Sequence, residues 1–246
     1  MTLTTTDSIF KGQIIIHQPK EGFRFGIDAI ILGAAAPVMT KGRLLDLGSG
    51  VGTALFSAHF RSPLATGVGV EIDASLVELA RKNATENKRD DRLKFVEHDL
   101  LLSDDPLKGE LYDVVITNPP FYDRDKAPAS PLDQKSRAKS ITVSSFKTWI
   151  EYGVKKTTSG GYFIALVPPA FLPHVMDGMK DKLGNLRLLP LWPKAGEAAK
   201  RVLIGGQKGS KTPFAILPGT VIHKHQGGYT EEAHAILQEG SSLALF

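Results

Sequence analysis

The feature that most constrains the fold of this chain is a repeated alternation of strand-length apolar runs with helical patterns, starting at Arg43. In order along the chain these segments are "RLLDLGSG", "GTALFSAHF", "ATGVGVEID", "SLVELARKNATEN" and "LKFVEHDL". Strands that are apolar on both faces and separated by helices are typical of a parallel sheet, because each connection must cross one face of the sheet before the next strand begins. The pattern therefore predicts an α/β fold with a mostly parallel sheet and helices on both faces.

The same alternation continues toward the carboxyl end. The further segments are the strands "YDVVITN" and "GGYFIALVPP", the helix "SSFKTWIEYGVKKT" between them, and two last strands, "NLRLLPLW" and "RVLIGGQKG". These strands complete a predicted seven-stranded sheet. Ahead of the sheet, "EGFRFGIDAIILGAAAP" predicts a helix capped by Asp28 and ended before Pro37. We expect one domain over residues 1–246, with a lead at 1–40, a core at 41–208 and an extension at 209–246.

Composition excludes several classes of chemistry. The chain of 246 residues has no cysteine, which rules out disulfides, zinc–thiolate sites and thiol nucleophiles. The net charge of +4 is compatible with a polyanionic partner without requiring one. Because the amino-terminal segment lacks a signal-peptide pattern and no apolar run reaches the length of a membrane span, we expect a cytoplasmic protein without membrane contact.

A glycine-rich loop lies where the first core strand turns into the first core helix. It contains Asp46 and the glycines Gly48, Gly50 and Gly52. Glycines at this position let a ligand approach the backbone without meeting a Cβ atom. The spacing differs from the dinucleotide pattern and from the P-loop, so neither a pyrophosphate nor a triphosphate is the expected ligand. Taken alone, such a loop is as compatible with a tight strand-to-helix turn as with a ligand site.

Two acidic residues at the ends of the next strands strengthen the ligand interpretation. Glu71 ends the second core strand, where a carboxylate can accept both hydroxyls of a ribose. Asp99 follows the third, where it can accept from an adenine amine. Either residue alone is more typical of a helix cap or a solvated turn. Because the carboxyl ends of successive parallel strands meet at one crevice, the two acids and the glycine loop together predict a single site.

With these residues the chain resembles the class I S-adenosylmethionine-dependent methyltransferases, which have a Rossmann-like fold. The resemblance covers roughly residues 23–206. It implies S-adenosylmethionine as the cofactor, with the glycine loop around its methionine and ribose. It also implies that Asp46 lies near the methionine amine, Glu71 on the ribose and Asp99 on the adenine, with Leu100 beside the adenine ring.

In such a fold the fourth core strand ends beside the transferable methyl group, and here it ends in Asn118, Pro119, Pro120 and Phe121. We expect Asn118 to border the cofactor and its side-chain oxygen to accept from a substrate amine, with the Pro119 carbonyl as second acceptor. The prolines hold this carbonyl and the aromatic ring in place, and Phe121 stacks on the substrate base. A proline-terminated strand with a surface aromatic is the plain structural alternative.

The Asn-Pro-Pro-Phe segment is shared by enzymes that methylate the adenine amine in nucleic acids and by those that methylate glutamine in release factors. Over the full chain the sequence is similar to the bacterial tRNA adenine-N6 methyltransferases, in "FRFGIDAIILGAAAP", "LLDLGSGVG", "TNPPFYD", "RVLIGG" and "GGYTEEAHAIL". This resemblance implies a tRNA substrate methylated beside the anticodon. It also suggests that Phe25, Gly26 and Asp28 close over the methionine end. Protein glutamine methylation and a non-catalytic RNA-binding module remain the alternatives.

Other residues have less specific interpretations. A group of basic residues near the carboxyl end could follow a phosphate backbone or form an ordinary solvated face: Lys194, Lys200, Arg201, Lys208 and Lys211. The histidines are scattered, and we predict no metal site. Trp149 and Trp192 are more typical of packing than of base stacking. The segments 124–139 and 209–226 follow no pattern that we can assign to tRNA binding.

Overall fold

The computed structural model describes residues 3–22, 24–102, 104–120 and 143–246, with only the backbone described at 143 and 144. The strands are β1 (Thr4–Ile9), β2 (Ile14–Pro19), β3 (Arg43–Leu47), β4 (Thr66–Glu71), β5 (Leu93–Glu97), β6 (Tyr112–Thr117), β7 (Thr157–Val167), β8 (Leu183–Trp192), β9 (Arg201–Lys208), β10 (Ala215–Ile216) and β11 (Thr220–Val221). The helices are α1 (Ile27–Ala35), α2 (Thr53–Arg61), α3 (Ala74–Glu86), α4 (Val143–Lys156), α5 (Leu172–Met179) and α6 (Glu231–Glu239), with a 3₁₀ turn at Pro169–Phe171. Phe121 and the segment 124–139 lie outside the described residues.

A mixed sheet of nine strands forms the centre of the described structure. Its order is β10–β8–β9–β7–β6–β3–β4–β5, with β11 also paired to β8. β9 pairs antiparallel with both of its neighbours, and the remaining pairs are parallel, so the other eight strands point the same way. Their carboxyl ends therefore share one edge, called here the carboxyl edge, which also holds the first residue of β9. The opposite side is called the amino edge.

The predicted fold class is confirmed, whereas the predicted strand count is wrong. The sheet has nine strands in the described chain instead of seven, because β10 and β11 add two strands beside β8. Each is two residues long and lies among prolines and glycines, so neither carries an alternating pattern that a sequence reader can detect. The course of the core from β3 to β9 follows the predicted alternation.

The start of the first helix also differs from the prediction. Gly26, rather than Asp28, is the N-cap of α1, and no side chain caps this end. Asp28 lies inside the first turn, where its carboxylate pairs with Arg201 at the start of β9, Nε to Oδ2 at 2.9 Å. An acidic residue in the first turn is still favourable to the helix dipole. The predicted helix end before Pro37 is confirmed by the C-cap at Ala36.

Each face of the sheet packs against its own layer of helices. On one face, α1, α2, α3 and α6 enclose a cluster that includes Leu44 and Ile116. On the other face, α4 and α5 enclose a second cluster that includes Leu45 and Val115. Because successive strand residues point to opposite faces, the continuous apolar runs noted in the sequence supply both cores at once.

A hairpin of β1 and β2 forms a separate two-stranded sheet against α3. Asn83 of α3 and Asn87, the C-cap of that helix, bind the hairpin backbone as a neighbouring strand would. The Asn83 amide accepts from the His17 N–H at 2.8 Å and donates to the His17 carbonyl at 3.0 Å. One turn later, Asn87 accepts from the Ile15 N–H at 2.8 Å and donates to the Ile15 carbonyl at 2.7 Å. The hairpin is thereby fixed in register on the helix that follows β4.

Candidate active site

The glycine loop joins β3 to α2 at the carboxyl edge of the sheet. Gly48, Gly50 and Gly52 all have positive φ angles, of 75°, 54° and 91°. A Cβ added at Gly52 would come within 2.9 Å of the Phe56 and Phe95 rings, so both conformation and space require glycine there. The N–H groups of Gly48 and Ser49 both donate to the Val70 carbonyl, which ties the loop to β4.

Glu71, the last residue of β4, lies directly against this loop. Its Oε2 accepts from the Gly50 N–H at 3.0 Å, and its Oε1 accepts from the Asp73 N–H at 3.0 Å. The side chain is half-buried. Since each carboxylate oxygen can accept a second hydrogen bond, the group is held by the backbone and can still accept from a ligand hydroxyl.

Asp46 lies in β3 beneath the loop and is almost fully buried, with 1% of its surface exposed. Burial first, and then the nearby Glu71 charge, raise the pKa of its carboxyl group to about 7, against a smaller opposing effect of a hydrogen bond with the Leu55 backbone. In the described part of the chain, its Oδ2 atom has no hydrogen-bond partner. Such a group favours a cation beside it, because a positive charge would stabilise the ionised form.

Buried polar atoms without partners are concentrated at this site. Eight such side-chain atoms occur in the described chain, and four of them are Asp46 Oδ2, Ser49 Oγ, Thr53 Oγ1 and Asn118 Oδ1. A buried polar atom without a hydrogen bond costs about 1–3 kcal/mol, so a group of them needs an explanation such as a bound ligand. The four belong to β3, the glycine loop, the first residue of α2 and the residue after β6.

The pairing of β6 with β3 places Asn118 beside this loop. Thr117 is paired with Leu47, so the following residues, Asn118 and Gly48, continue from adjacent strands at the carboxyl edge. The Thr117 hydroxyl donates to the Leu47 carbonyl at 2.9 Å and accepts from the Trp149 indole N–H at 2.9 Å. This chain of hydrogen bonds fixes the end of β6 and therefore the position of Asn118.

Trp149 of α4 supports the loop from below as well. A Cβ added at Gly48 would lie 3.1 Å from its ring. The side chain is buried, so the prediction that Trp149 is a packing residue is confirmed. Trp149 packs against the site itself, because its side chain lies beside Gly48 and donates a hydrogen bond to Thr117.

Asn83 connects the amino-terminal hairpin to the glycine loop. Besides its two hydrogen bonds to His17, its Nδ2 donates to the Val51 carbonyl within the loop at 3.1 Å. Asn83 is fully buried. Sequence reasoning missed Asn83, because an asparagine inside a helix carries no signal of what its amide binds. It also missed Ser49 and Thr53 beside the glycines of the loop.

The other predicted site residues vary in their surroundings. Asp99 accepts from the Leu101 N–H at 2.9 Å and is half-buried, Leu100 is buried in the second core cluster, Pro119 is buried and Pro120 is exposed. Among these three lead residues, the Phe25 N–H donates to Gln18 Oε1, the Gly26 carbonyl accepts from the Ala29 N–H, and the Asp28 carboxylate accepts from Arg201 Nε. Closure of Phe25, Gly26 and Asp28 over the ligand, and the ligand roles of Asp99 and Leu100, therefore remain predictions.

The group of basic residues proposed from the sequence does not form one surface. Lys194, Lys200 and Arg201 lie at the carboxyl edge, between β8 and β9, whereas Lys208 and Lys211 lie at the amino edge, where β9 ends. The Lys208 ammonium donates to the carbonyls of Val154, Lys155 and Thr157 at 3.2, 3.2 and 2.6 Å. Arg201 is paired with Asp28. A single phosphate track along all five residues is therefore excluded.

Known proteins are similar to this chain in sequence and in fold. Residues 28–133 match the model of the methyltransferase small domain. The structure is similar to that of a protein from Agrobacterium tumefaciens described as a predicted O-methyltransferase, with a TM-score of 0.70 and 22% identity over 88% of this chain and 98% of that one. The fold is that of the Rossmann-like methyltransferases. A methyltransferase subunit of a type I restriction-modification system from Streptococcus thermophilus shares it, with a TM-score of 0.55 and 16% identity over 80% of this chain and 47% of that one.

Curated relatives have a more specific name. The chain is 27% identical over 190 residues to a tRNA1(Val) (adenine(37)-N6)-methyltransferase of a Flavobacteriaceae bacterium, covering 77% of this chain and 79% of the relative. It is 27% identical over 229 residues to the protein of the same name from Bacteroides thetaiotaomicron, covering 92% and 94%. A third, from Dyadobacter fermentans, is 33% identical over 142 residues, covering 56% and 57%. In the methyltransferase fold of this chain, the glycine loop and Asn118 lie at the carboxyl edge, and the described helices are too short or too polar to cross a lipid bilayer.

Proposed function

We propose that this protein uses S-adenosylmethionine to methylate the exocyclic N6 amine of an adenine in tRNA, beside the anticodon. The observation that carries the proposal is the buried Asn118 side-chain oxygen, which has no hydrogen-bond partner among the described residues and lies one strand away from the glycine loop. An amide oxygen in that position is an acceptor kept for a group that the protein alone does not supply.

The residues around the loop fit the cofactor. The carboxylate of Asp46, with a raised pKa, suits the ammonium group of the methionine part, which would favour its ionised form. Glu71 is fixed by the Gly50 and Asp73 N–H groups and can accept from ribose hydroxyls. Ser49 Oγ and Thr53 Oγ1 are further buried polar atoms in need of partners. When bound, S-adenosylmethionine supplies a methyl group on a positively charged sulfur.

The protein's own part in the transfer is to orient the substrate nitrogen. An adenine amine is a poor nucleophile because its lone pair is delocalised into the ring. Asn118 Oδ1, held by the Thr117–Trp149 hydrogen bonds, would accept one amine hydrogen and draw the nitrogen toward tetrahedral geometry, with the Pro119 carbonyl as second acceptor. The nitrogen would gain the methyl group as the methyl carbon–sulfur bond breaks and leaves the sulfur neutral, and it would lose one proton to solvent.

The choice of tRNA is supported by the relatives, whose name specifies adenine 37 of a valine tRNA. The Asn-Pro-Pro-Phe segment supports an amine or amide nitrogen as the acceptor and is compatible with both adenine and glutamine. The similarity to the tRNA enzymes extends over most of the chain in the Bacteroides relative, which favours tRNA over a protein substrate.

The test is incubation of the purified protein with S-adenosylmethionine carrying a labelled methyl group. One reaction contains tRNA from a strain that lacks the gene, and parallel reactions contain a purified release factor or ribosomal RNA. Digestion to nucleosides and mass spectrometry should identify labelled N6-methyladenosine in the tRNA alone. Label in glutamine of the release factor would support the protein alternative, and transfer to none of the three would support a non-catalytic role.

A further inference from the structure

The order of strands divides the carboxyl edge into two halves. β3, β4 and β5 lie on one side of β6 and carry the glycine loop, Glu71 and Asp99. β7, β9 and β8, with β11, lie on the other side. Since Asn118 ends β6, a cofactor bound over the first half leaves the second half for the substrate. We call the second half the substrate side.

The substrate side carries three lysines without ion pairs in the described chain: Lys194, Lys200 and Lys224, called here the edge lysines. Lys194 and Lys200 belong to the connection between β8 and β9, and Lys224 follows β11. Lys200 and Lys224 are exposed, and Lys194 is partly exposed. Glu197 is the single acidic residue in the two segments 193–200 and 222–229. The surface therefore has a net positive charge.

Hydrogen bonds hold these two segments side by side. The Ile222 N–H donates to the Trp192 carbonyl at 2.8 Å, and the His223 N–H donates to the Pro193 carbonyl at 2.9 Å. One residue further along each segment come Lys194 and Lys224. In the turn after Lys224, the Lys224 N–H donates to the Gly228 carbonyl at 3.0 Å, and the Gly227 N–H donates to the Lys224 carbonyl at 3.1 Å. The His223 and Tyr229 rings stack at the base of this turn. The edge lysines thus project from an ordered surface.

Their distance from the reaction site suits a polynucleotide. β8 is three strands from β6, and β11, which precedes Lys224, is four strands away, so at about 4.8 Å between strands the distances are roughly 14 and 19 Å. Each is the span of a few nucleotides. An adenine placed at Asn118 would have its neighbouring phosphates over this part of the edge. An amine or carboxylate of a small substrate would not reach it.

We propose that the edge lysines are the phosphate-contacting surface for the RNA segment that flanks the methylated adenine. This inference rests on the proposed function. The chain also supplies a matched control at the amino edge: Lys155, Lys180 and Lys211, called here the rear lysines, which are exposed and also lack ion pairs in the described chain. β8 has ten residues, so the two edges are about 30 Å apart.

The experiment compares two triple variants that remove the same charge. One is Lys194→Gln, Lys200→Gln and Lys224→Gln, and the other is Lys155→Gln, Lys180→Gln and Lys211→Gln. Binding of unfractionated tRNA is measured across a salt series, with methylation kinetics on the same tRNA and calorimetric S-adenosylmethionine binding as the check of folding. Each lost phosphate contact lowers the magnitude of the log–log salt slope by ~0.7–0.9.

In the edge variant, the magnitude of the log–log salt slope should fall by about 2–3, and tRNA should bind at least about tenfold more weakly. The KM for tRNA should rise accordingly, and the affinity for S-adenosylmethionine should stay unchanged. The rear variant should behave as wild type. If wild type methylates tRNA but the two variants lose affinity equally, or neither loses any, the surface assignment is overturned while the function stands. If wild type does not methylate tRNA, the proposed function falls and this inference with it.

Discussion

Glu71 and Gly50 are joined by a hydrogen bond from the glycine backbone N–H to the carboxylate Oε2 at 3.0 Å. The acid at the end of β4 therefore shapes the loop that ends β3, in addition to the ligand role proposed for it. The second oxygen accepts from the Asp73 N–H, so both oxygens are fixed before any ligand arrives. A carboxylate held in this way needs no rearrangement to accept ribose hydroxyls.

Replacement of Glu71 should weaken cofactor binding for two separable reasons. Glu71→Ala removes both the support of the loop and the charged acceptor, whereas Glu71→Gln keeps one oxygen that can still accept from Gly50 or Asp73. A hydrogen bond to a charged group contributes ~1.5–3 kcal/mol, so we expect affinity for S-adenosylmethionine to fall about 10- to 100-fold in Glu71→Ala and less in Glu71→Gln. Calorimetry measures both. A folded Glu71→Ala protein with native affinity would remove the ribose assignment.

The raised pKa of Asp46 predicts a pH-dependent affinity. The free protein holds this carboxyl group protonated below about pH 7, and an ammonium ligand prefers it ionised. Cofactor affinity should therefore increase as pH rises toward 7 and level off above it, with a proton released on binding below that pH. In Asp46→Asn the same titration should show weaker binding and no such rise. An identical pH profile in both proteins would contradict the role of Asp46.

Asp46 has a related effect on stability, with a definite sign. Its folded pKa of about 7 is above the ordinary value of 3.8, so the folded protein binds the proton more tightly than the unfolded chain. The stability of the free protein should fall as pH rises from about 4 to 7, and Asp46→Asn should remove that part of the decline. Urea denaturation at several pH values measures it, and a decline of equal size in the variant would show that other groups are responsible.

Asn83 and Asn87 provide a matched pair for testing how the hairpin reaches the site. Each amide binds one residue of β2 through two hydrogen bonds, but only Asn83 also binds Val51 of the glycine loop. Asn83→Ala should destabilise the protein by ~2–4 kcal/mol, because it leaves buried backbone groups unpaired, and Asn87→Ala by less. At a temperature where both are folded, only Asn83→Ala should also weaken cofactor binding. Equal cofactor affinity in the two variants would confine Asn83 to holding the hairpin.

The course of the core could be predicted because its strands are buried on both faces and its helices are amphipathic. Leu44 and Leu45, for example, enter opposite cores, and a continuous apolar run is the direct result. The β1–β2 hairpin could not be predicted in the same way. In β1 the partly buried residues, Thr5 and Asp7, are polar. The alternation of burial along the strand is therefore not visible as an alternation of hydrophobic residues in the sequence.

The site divides along a similar line. The glycine loop, Glu71 and Asn118 follow from chain order, since consecutive parallel strands end at one edge. The cap at Gly26 was assigned wrongly to Asp28, because Asp28 is two residues further on and pairs with Arg201, which is 173 residues away in the chain. The contacts of Trp149 and Asn83 with the loop were equally hidden, because they depend on side-chain packing between elements that are distant in sequence.

The role of Asn118 in methyl transfer is decided by the single-turnover rate of Asn118→Ala with saturating tRNA. A matched control is Asn185→Gly at the amino edge, which removes another buried amide oxygen that has no partner among the described residues. Glycine suits the φ of 49° at this position. Asn118→Ala should bind S-adenosylmethionine nearly as wild type does but transfer the methyl group about a hundred- to a thousandfold more slowly, since loss of a preorganised group in the transition state costs ~2.7–4 kcal/mol. Asn185→Gly should transfer it at the native rate. A native rate in Asn118→Ala would mean that the end of β6 is structural and that the substrate amine is oriented elsewhere.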